Sequence, residues 1–176
     1  MYRLAVFVAL ALALATSATP ALAEPVSGVT PTFVSIPMIG TAARVVPLGL
    51  LEDGSLDAPE DPDTVGWFEL GAGIVAPGNV ILDGHIDWVG RLRVFGLLRT
   101  LLPGDRVQVT GSDQVTRTYG VTWSRLFDAE NAPLDEIYEL TDEIEEVTLV
   151  TCGGVFDPAG RMYVGRLVVR AVLTAD

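Results

Sequence analysis

The feature that most constrains this chain is a succession of short β-branched runs broken by glycine, proline or aspartate. Residues 33–36, 43–46, 79–82, 106–110, 115–122, 147–151 and 163–173 have the length and composition of strands. Gly111-Ser112-Asp113-Gln114 reads as a hairpin connection between two of them. Two segments suit short helices: 94–102, stopped by Pro103-Gly104, and 134–140. Seven or more such strands predict an all-β fold, a closed barrel or a sandwich.

The N-terminus reads as an address. Arg3 precedes an apolar run from Leu4 to Ala15, and Ala21-Leu22-Ala23 has the small-x-small form of a cleavage site. Residues 1–23 are therefore expected to be a secretory signal peptide, since a membrane span needs ~20 apolar residues. An uncleaved anchor is the rival reading, and it would be the only attachment to a membrane, because no later segment is apolar enough to cross one. No lipobox cysteine stands at the cleavage site. Residues 24–31, rich in Pro, Ser, Gly and Thr, are expected to form a linker or N-terminal arm. Residues 32–176 then make one domain, large enough to bury roughly 68–70% of its unfolded surface without disulfides.

Charge narrows the partners. Of 176 residues, 23 are acidic and 11 basic, for a net charge of −12, and every basic residue is arginine. Such a chain has no basic patch for nucleic acid or for anionic lipid. Carboxylates concentrate in residues 52–63 and 135–146. Both stretches lack the ordered alternation of a calcium loop and are expected to be solvated surface.

One cysteine and one histidine exclude a disulfide framework, a thiolate cluster and a multi-histidine metal site. Cys152 ends the run Val147-Thr148-Leu149-Val150-Thr151 and precedes Gly153-Gly154. The thiol is expected at a strand end, where paired glycines turn the chain and let its backbone approach a ligand. A small buried hydrophobe is the alternative. His85 stands in Leu82-Asp83-Gly84-His85-Ile86-Asp87-Trp88, also where an apolar strand meets a turn. A thiol nucleophile needs a partner that raises its thiolate fraction or protonates the leaving amine, and histidine is the usual one. Histidine comes first, 67 residues ahead of cysteine. That order disfavours papain-like folds, and no Ser-His-Gly-Cys run marks a cysteine L,D-transpeptidase. An oxyanion donor is also required, and Arg166, opening Arg166-Leu167-Val168-Val169-Arg170, is the best-placed candidate.

The order His85, then Thr148-Leu149-Val150-Thr151-Cys152, then Arg166-Leu167-Val168-Val169 resembles the sortase family of cysteine transpeptidases, whose members attach proteins to the Gram-positive type of cell surface. Ser35-Ile36-Pro37-Met38, Val65-Gly66-Trp67-Phe68, Pro77-Gly78-Asn79-Val80 and Gly84-His85-Ile86-Asp87 follow in family order. Thr151-Cys152-Gly153-Gly154 with Phe156-Asp157 looks most like class F or neighbouring class E. The aromatic lid of pilin-building relatives is not apparent.

The resemblance implies a closed eight-stranded β-barrel with a few short helices. It implies Cys152 as nucleophile, His85 as general acid/base and Arg166 as oxyanion or substrate-positioning group, with Thr151 and Gly153 supporting the site. Arg161, close by in sequence, is a second candidate for the arginine role. The implied partners are proteins carrying a Leu-Pro-x-Thr-Gly-type sorting signal, cleaved between Thr and Gly through a thioester, and an amine of the cell surface. No metal or organic cofactor is needed. Uncoupled, a thiol of pKa ~8.5 and an imidazole of ~6.5 leave only ~3% thiolate at pH 7. The site is thus expected to hold a strongly coupled ion pair or to react through a minority form, and the resemblance favours the second. Two other functions fit the same residues: a catalytically silent extracellular peptide-binding barrel, and a cysteine endopeptidase that uses water as acceptor.

Overall fold

The computed structural model describes residues 28–138 and 144–175. The expected leader and the first part of the expected linker lie outside the described residues. The strands are β1 (Pro31–Ile36), β2 (Thr41–Leu48), β3 (Val65–Phe68), β4 (Gly78–Asp83), β5 (Asp87–Trp88), β6 (Arg91–Leu92), β7 (Arg106–Gly111), β8 (Thr116–Asp128), β9 (Glu145–Asp157) and β10 (Met162–Leu173). One helix, α1, spans Leu134–Tyr138, and 3-10 turns occupy Pro37–Ile39 and Leu98–Thr100.

Eight strands close into a barrel in the order β1-β2-β3-β4-β9-β10-β8-β7, while β5 and β6 form a separate ribbon. This is the closed eight-stranded barrel expected from the sequence. Two of its ladders, β2 with β3 and β4 with β9, are parallel; the others are antiparallel. Alternate residues of each strand fill the interior, among them Val34, Val80, Val107, Leu149 and Val169, all with no exposed surface. A second, smaller apolar cluster lies outside the wall, where Ile81, Val150 and Val168 meet Ile137 of α1. Strands β4, β9 and β10 are therefore covered on both faces where α1 packs, which is why they read as continuous apolar runs and not as alternating ones.

Three details depart from the sequence expectations, in β9, in the 94–102 segment and in β3. Strand β9 does not end at Cys152: it continues through Gly153-Gly154 to Asp157, because β10 is long enough to pair with it as far as Met162. The glycines instead accommodate an irregularity in register opposite Tyr163 and Gly165, and Gly154 has a φ of 78°. The helix expected over 94–102 shrinks to one 3-10 turn. Phe95, Leu98 and Leu101, three residues apart and fully buried or nearly so, face the core with the period of a 3-10 turn. Of the helix expected over 134–140, Leu134–Tyr138 is formed and the remainder lies outside the described residues. Strand β3 is additional, a four-residue piece whose Gly66 lets the Leu48 side chain occupy the space a Cβ would need.

The carboxylate-rich 52–63 stretch is a loop over the barrel end. Asp53 and Asp61 accept backbone N–H bonds from Ser55 and Asp63, two residues on. Among the described residues no helix is long and apolar enough to cross a membrane.

Candidate active site

The ladders pair Cys152 with Arg166 and place the segment that carries His85 next to the Cys152 strand. Cys152 and Arg166 are direct partners across β9 and β10. On the other side of β9, the parallel ladder ends with Asp83 opposite Val150. The Gly84 N–H then donates to the Val150 carbonyl at 3.1 Å, and Thr151 Oγ1 donates to the Gly84 carbonyl at 2.6 Å. Strand β4 ends at Asp83, and His85 follows one residue after the Gly84 that these two bonds hold against β9.

His85 is held from several directions. Its carbonyl accepts the Phe95 N–H at 3.0 Å. A Cβ on Gly84 would meet Phe95 at 2.7 Å and Val94 at 2.9 Å, so only glycine permits this close approach before the histidine. The ring stands edge-on to Trp88, with centroids 5.1 Å apart, and Nε2 lies 2.8 Å from the Pro59 carbonyl oxygen. A carbonyl only accepts, so Nε2 carries a proton. Pro59 belongs to the acidic 52–63 loop and had no signal in the sequence, because its contribution is a backbone oxygen.

Cys152 is partly buried and forms no disulfide. Burial pushes its thiol above the ordinary range; the Arg166 guanidinium pulls it down, and the Asp83 and Asp87 carboxylates push it up. The thiol is therefore protonated at neutral pH, and the thiolate is a minority species. Burial also pushes the Asp83 carboxyl up to about 7, against the opposing pull of Arg166. A carboxylate directly before Gly84-His85 in an apolar strand was visible in the sequence, but its meaning depends on a guanidinium 83 positions later. Arg166 Nη1 donates to the Gly165 carbonyl at 3.1 Å, which turns the side chain back along its own strand.

Thr151 and Gly153 are structural neighbours of the thiol. Thr151 is 1% exposed and makes the bond to Gly84. A Cβ on Gly153 would meet Leu126 at 2.8 Å and Leu167 at 3.2 Å, so its bareness lets the barrel rim close beside Cys152. Arg161 stands in the β9–β10 turn with a φ of 54°, exposed and away from the Cys152–Arg166 rung.

From the thiol, the outer face of the wall runs past Asp83, Val150 and Val168 to a buried polar group beneath α1. Arg170 there donates from Nη2 to the carbonyls of Glu136 and Ile137 at 2.8 and 3.0 Å, and from Nε to Thr148 Oγ1 at 3.2 Å. Its Nη1 pairs with Glu146 at 3.5 Å, and Asn79 Nδ2 adds a bond to the Ile137 carbonyl at 2.9 Å. These donors satisfy helix carbonyls that would otherwise be orphaned, and they hold α1 against the outer face of the wall.

Comparison with known proteins agrees with this architecture. Sortase C1 from Streptococcus agalactiae is 23% identical with a TM-score of 0.63, over 82% of this chain and 67% of that chain. A lid mutant of sortase A from Corynebacterium diphtheriae is 19% identical with a TM-score of 0.64, over 89% and 75%. Sortase C-1 from Actinomyces oris is 19% identical with a TM-score of 0.65, over 82% and 72%. At such identities these structures establish the fold. No curated protein sequence matches the chain. The family model described as the sortase domain matches residues 34–174. With that span covering nearly every strand of the barrel, the chain belongs to the sortase family of cysteine transpeptidases.

Proposed function

We propose that the protein is an active cysteine transpeptidase that cleaves a Leu-Pro-x-Thr-Gly-type sorting signal between Thr and Gly and passes the acyl group to an amine of the cell surface. The observation that carries this reading is the pairing of Cys152 with Arg166, with the Thr151–Gly84 bond tying the segment that carries His85 to the Cys152 strand. The Cys152 thiolate attacks the threonine carbonyl carbon while Arg166 donates to the oxygen that gains negative charge. The scissile C–N bond then breaks, and the His85 imidazolium gives its proton to the departing glycine nitrogen. A thioester on Cys152 and a neutral imidazole remain, ready for an acceptor amine. The Thr151-Cys152-Gly153-Gly154 run supports placement in class F or neighbouring class E. An enzyme of this kind works on the outer face of the cell membrane, secreted or tethered there.

Incubation with sorting-signal peptides and amines, followed by mass spectrometry, tests the proposal. Wild-type protein is expected to show an acyl-enzyme on Cys152 and both transfer and hydrolysis products, all lost in Cys152→Ala. Peptide affinity without any thioester would instead indicate a silent binding barrel. Hydrolysis that no amine diverts would indicate an endopeptidase.

A further inference from the structure

The β5–β6 ribbon and the β9–β10 turn flank an open cavity of about 670 Å³, within the ~300–1,000 Å³ typical of small-ligand sites. Asp87, Trp88, Phe156, Arg161 and Tyr163 line it. It adjoins the reactive residues: Trp88 touches the His85 ring, Asp87 follows His85 by two residues, and Tyr163 and Phe156 are cross-strand partners just past Cys152.

The chemistry of the cavity selects its occupant. Asp87 Oδ2 accepts the Tyr163 hydroxyl at 2.6 Å, which orients the carboxylate and leaves Oδ1 without a hydrogen-bond partner among the described residues. Arg161, held in the turn by its left-handed backbone, has no ion-pair partner among the described residues. The same cavity is lined by Trp88 and the edge-to-face pair Phe156–Tyr163, with centroids 5.3 Å apart, suited to an alkyl chain and its ammonium. A simple amine would satisfy Asp87 and leave Arg161 facing an empty end; a simple acid would do the reverse. The chain has no lysine, so no side-chain amine of its own competes for the position.

Building on the transpeptidase reading, we propose that this cavity is the acceptor site and that it takes a primary amine that also carries a carboxylate, the ammonium toward Asp87 and the carboxylate toward Arg161. The docked ammonium first releases a proton to solvent. The neutral nitrogen attacks the thioester carbonyl carbon, the new C–N bond forms and the C–S bond breaks. Sulfur leaves with the electron pair as thiolate, and the surplus proton on nitrogen passes to the His85 imidazole, restoring the pair that began the cycle.

The test uses the whole protein with L-lysine and cadaverine, which share an alkylamine chain and differ in the carboxylate. Binding is read without turnover, as displacement of the Trp88 indole signal in 15N NMR. Transfer is read as the ratio of aminolysis to hydrolysis product from one sorting peptide. Lysine is expected to displace the Trp88 signal at lower concentration than cadaverine and to be transferred about tenfold more efficiently, the worth of one charge-assisted pair. Arg161→Ala should abolish that preference and Arg161→Lys should restore part of it, while Asp87→Asn should lower the transfer ratio with both amines; backbone amide spectra verify that each variant is folded. An unmoved Trp88 signal, or equal use of the two amines by wild type, would overturn the proposal. Absence of any thioester on wild-type Cys152 defeats the transpeptidase reading separately, and the NMR titration still judges the cavity.

Discussion

Thr151 Oγ1 and the Gly84 carbonyl oxygen are 2.6 Å apart, so the residue before Cys152 is bonded to the residue before His85. The bond lies inside the wall, with Thr151 1% exposed. It ties the segment that carries His85 to the strand that carries Cys152. Thr151→Val keeps the shape and removes the donor, leaving a buried carbonyl unpaired. Denaturant unfolding should show a loss of ~1–3 kcal/mol, together with a fall in turnover number larger than any change in KM. Thr151→Ser should retain both. An unchanged kcat in a destabilised Thr151→Val protein would show that the bond supports the fold alone.

Arg166 faces Cys152 across the ladder and draws the thiol pKa down against burial and two carboxylates. Arg166→Ala should therefore move the pH midpoint of iodoacetamide alkylation upward, and Asp83→Asn should move it downward. Peptide cleavage by Arg166→Ala should fall on the order of 10²–10³-fold, the usual cost of an oxyanion donor. If alkylation in Arg166→Ala follows the wild-type pH curve, the guanidinium does not act on the thiol.

Asp83 links stability to pH. Its folded-state pKa, pushed up to about 7 by burial, lies above that of an unfolded carboxyl near 3.8. Between those values the folded state binds more protons, so stability from this group falls as pH rises from about 4 to 7 and is level above. Asp83→Asn removes the slope. The difference between wild-type and variant urea midpoints should change across that window and stay constant from pH 8 upward. A difference independent of pH would contradict the burial of this carboxyl.

Arg170 holds α1 against the wall through two helix carbonyls and pairs with Glu146 in a region where both side chains are about one-tenth exposed. Arg170→Met strands the Glu146 charge and frees the helix, and should cost ~3–5 kcal/mol in denaturant unfolding. Arg170→Met with Glu146→Gln should recover much of that loss. Because Tyr138 at the end of α1 stands within electrostatic reach of Asp83 and Arg166, both proteins should show a raised KM for a sorting peptide, while alkylation of Cys152 by a small reagent is little changed.

Much of this architecture was legible in the chain. The β-branched runs marked seven of the eight barrel strands, and Arg166 pairs with the lone cysteine across β9 and β10. The remainder depended on long-range partners. Cys152 seemed terminal in its strand because Gly153-Gly154 usually break one, yet β10 carries the pairing past them. Short β3 was hidden because two of its four residues, Gly66 and Trp67, give no alternation. The bond from Tyr163 to Asp87 joins positions 76 apart, and Pro59 contributes only a backbone oxygen. Neither leaves a pattern that spacing could show.

The parallel ladder between β4 and β9 joins segments that are 67 positions apart at its level register. The β9–β10 hairpin alone sets Arg166 opposite Cys152, 14 residues away. The segment before His85 needs the distant ladder as well, with the larger loop-closure cost of a 67-residue separation, so a chain in which only the hairpin has formed holds its thiol beside the guanidinium without the histidine segment in place.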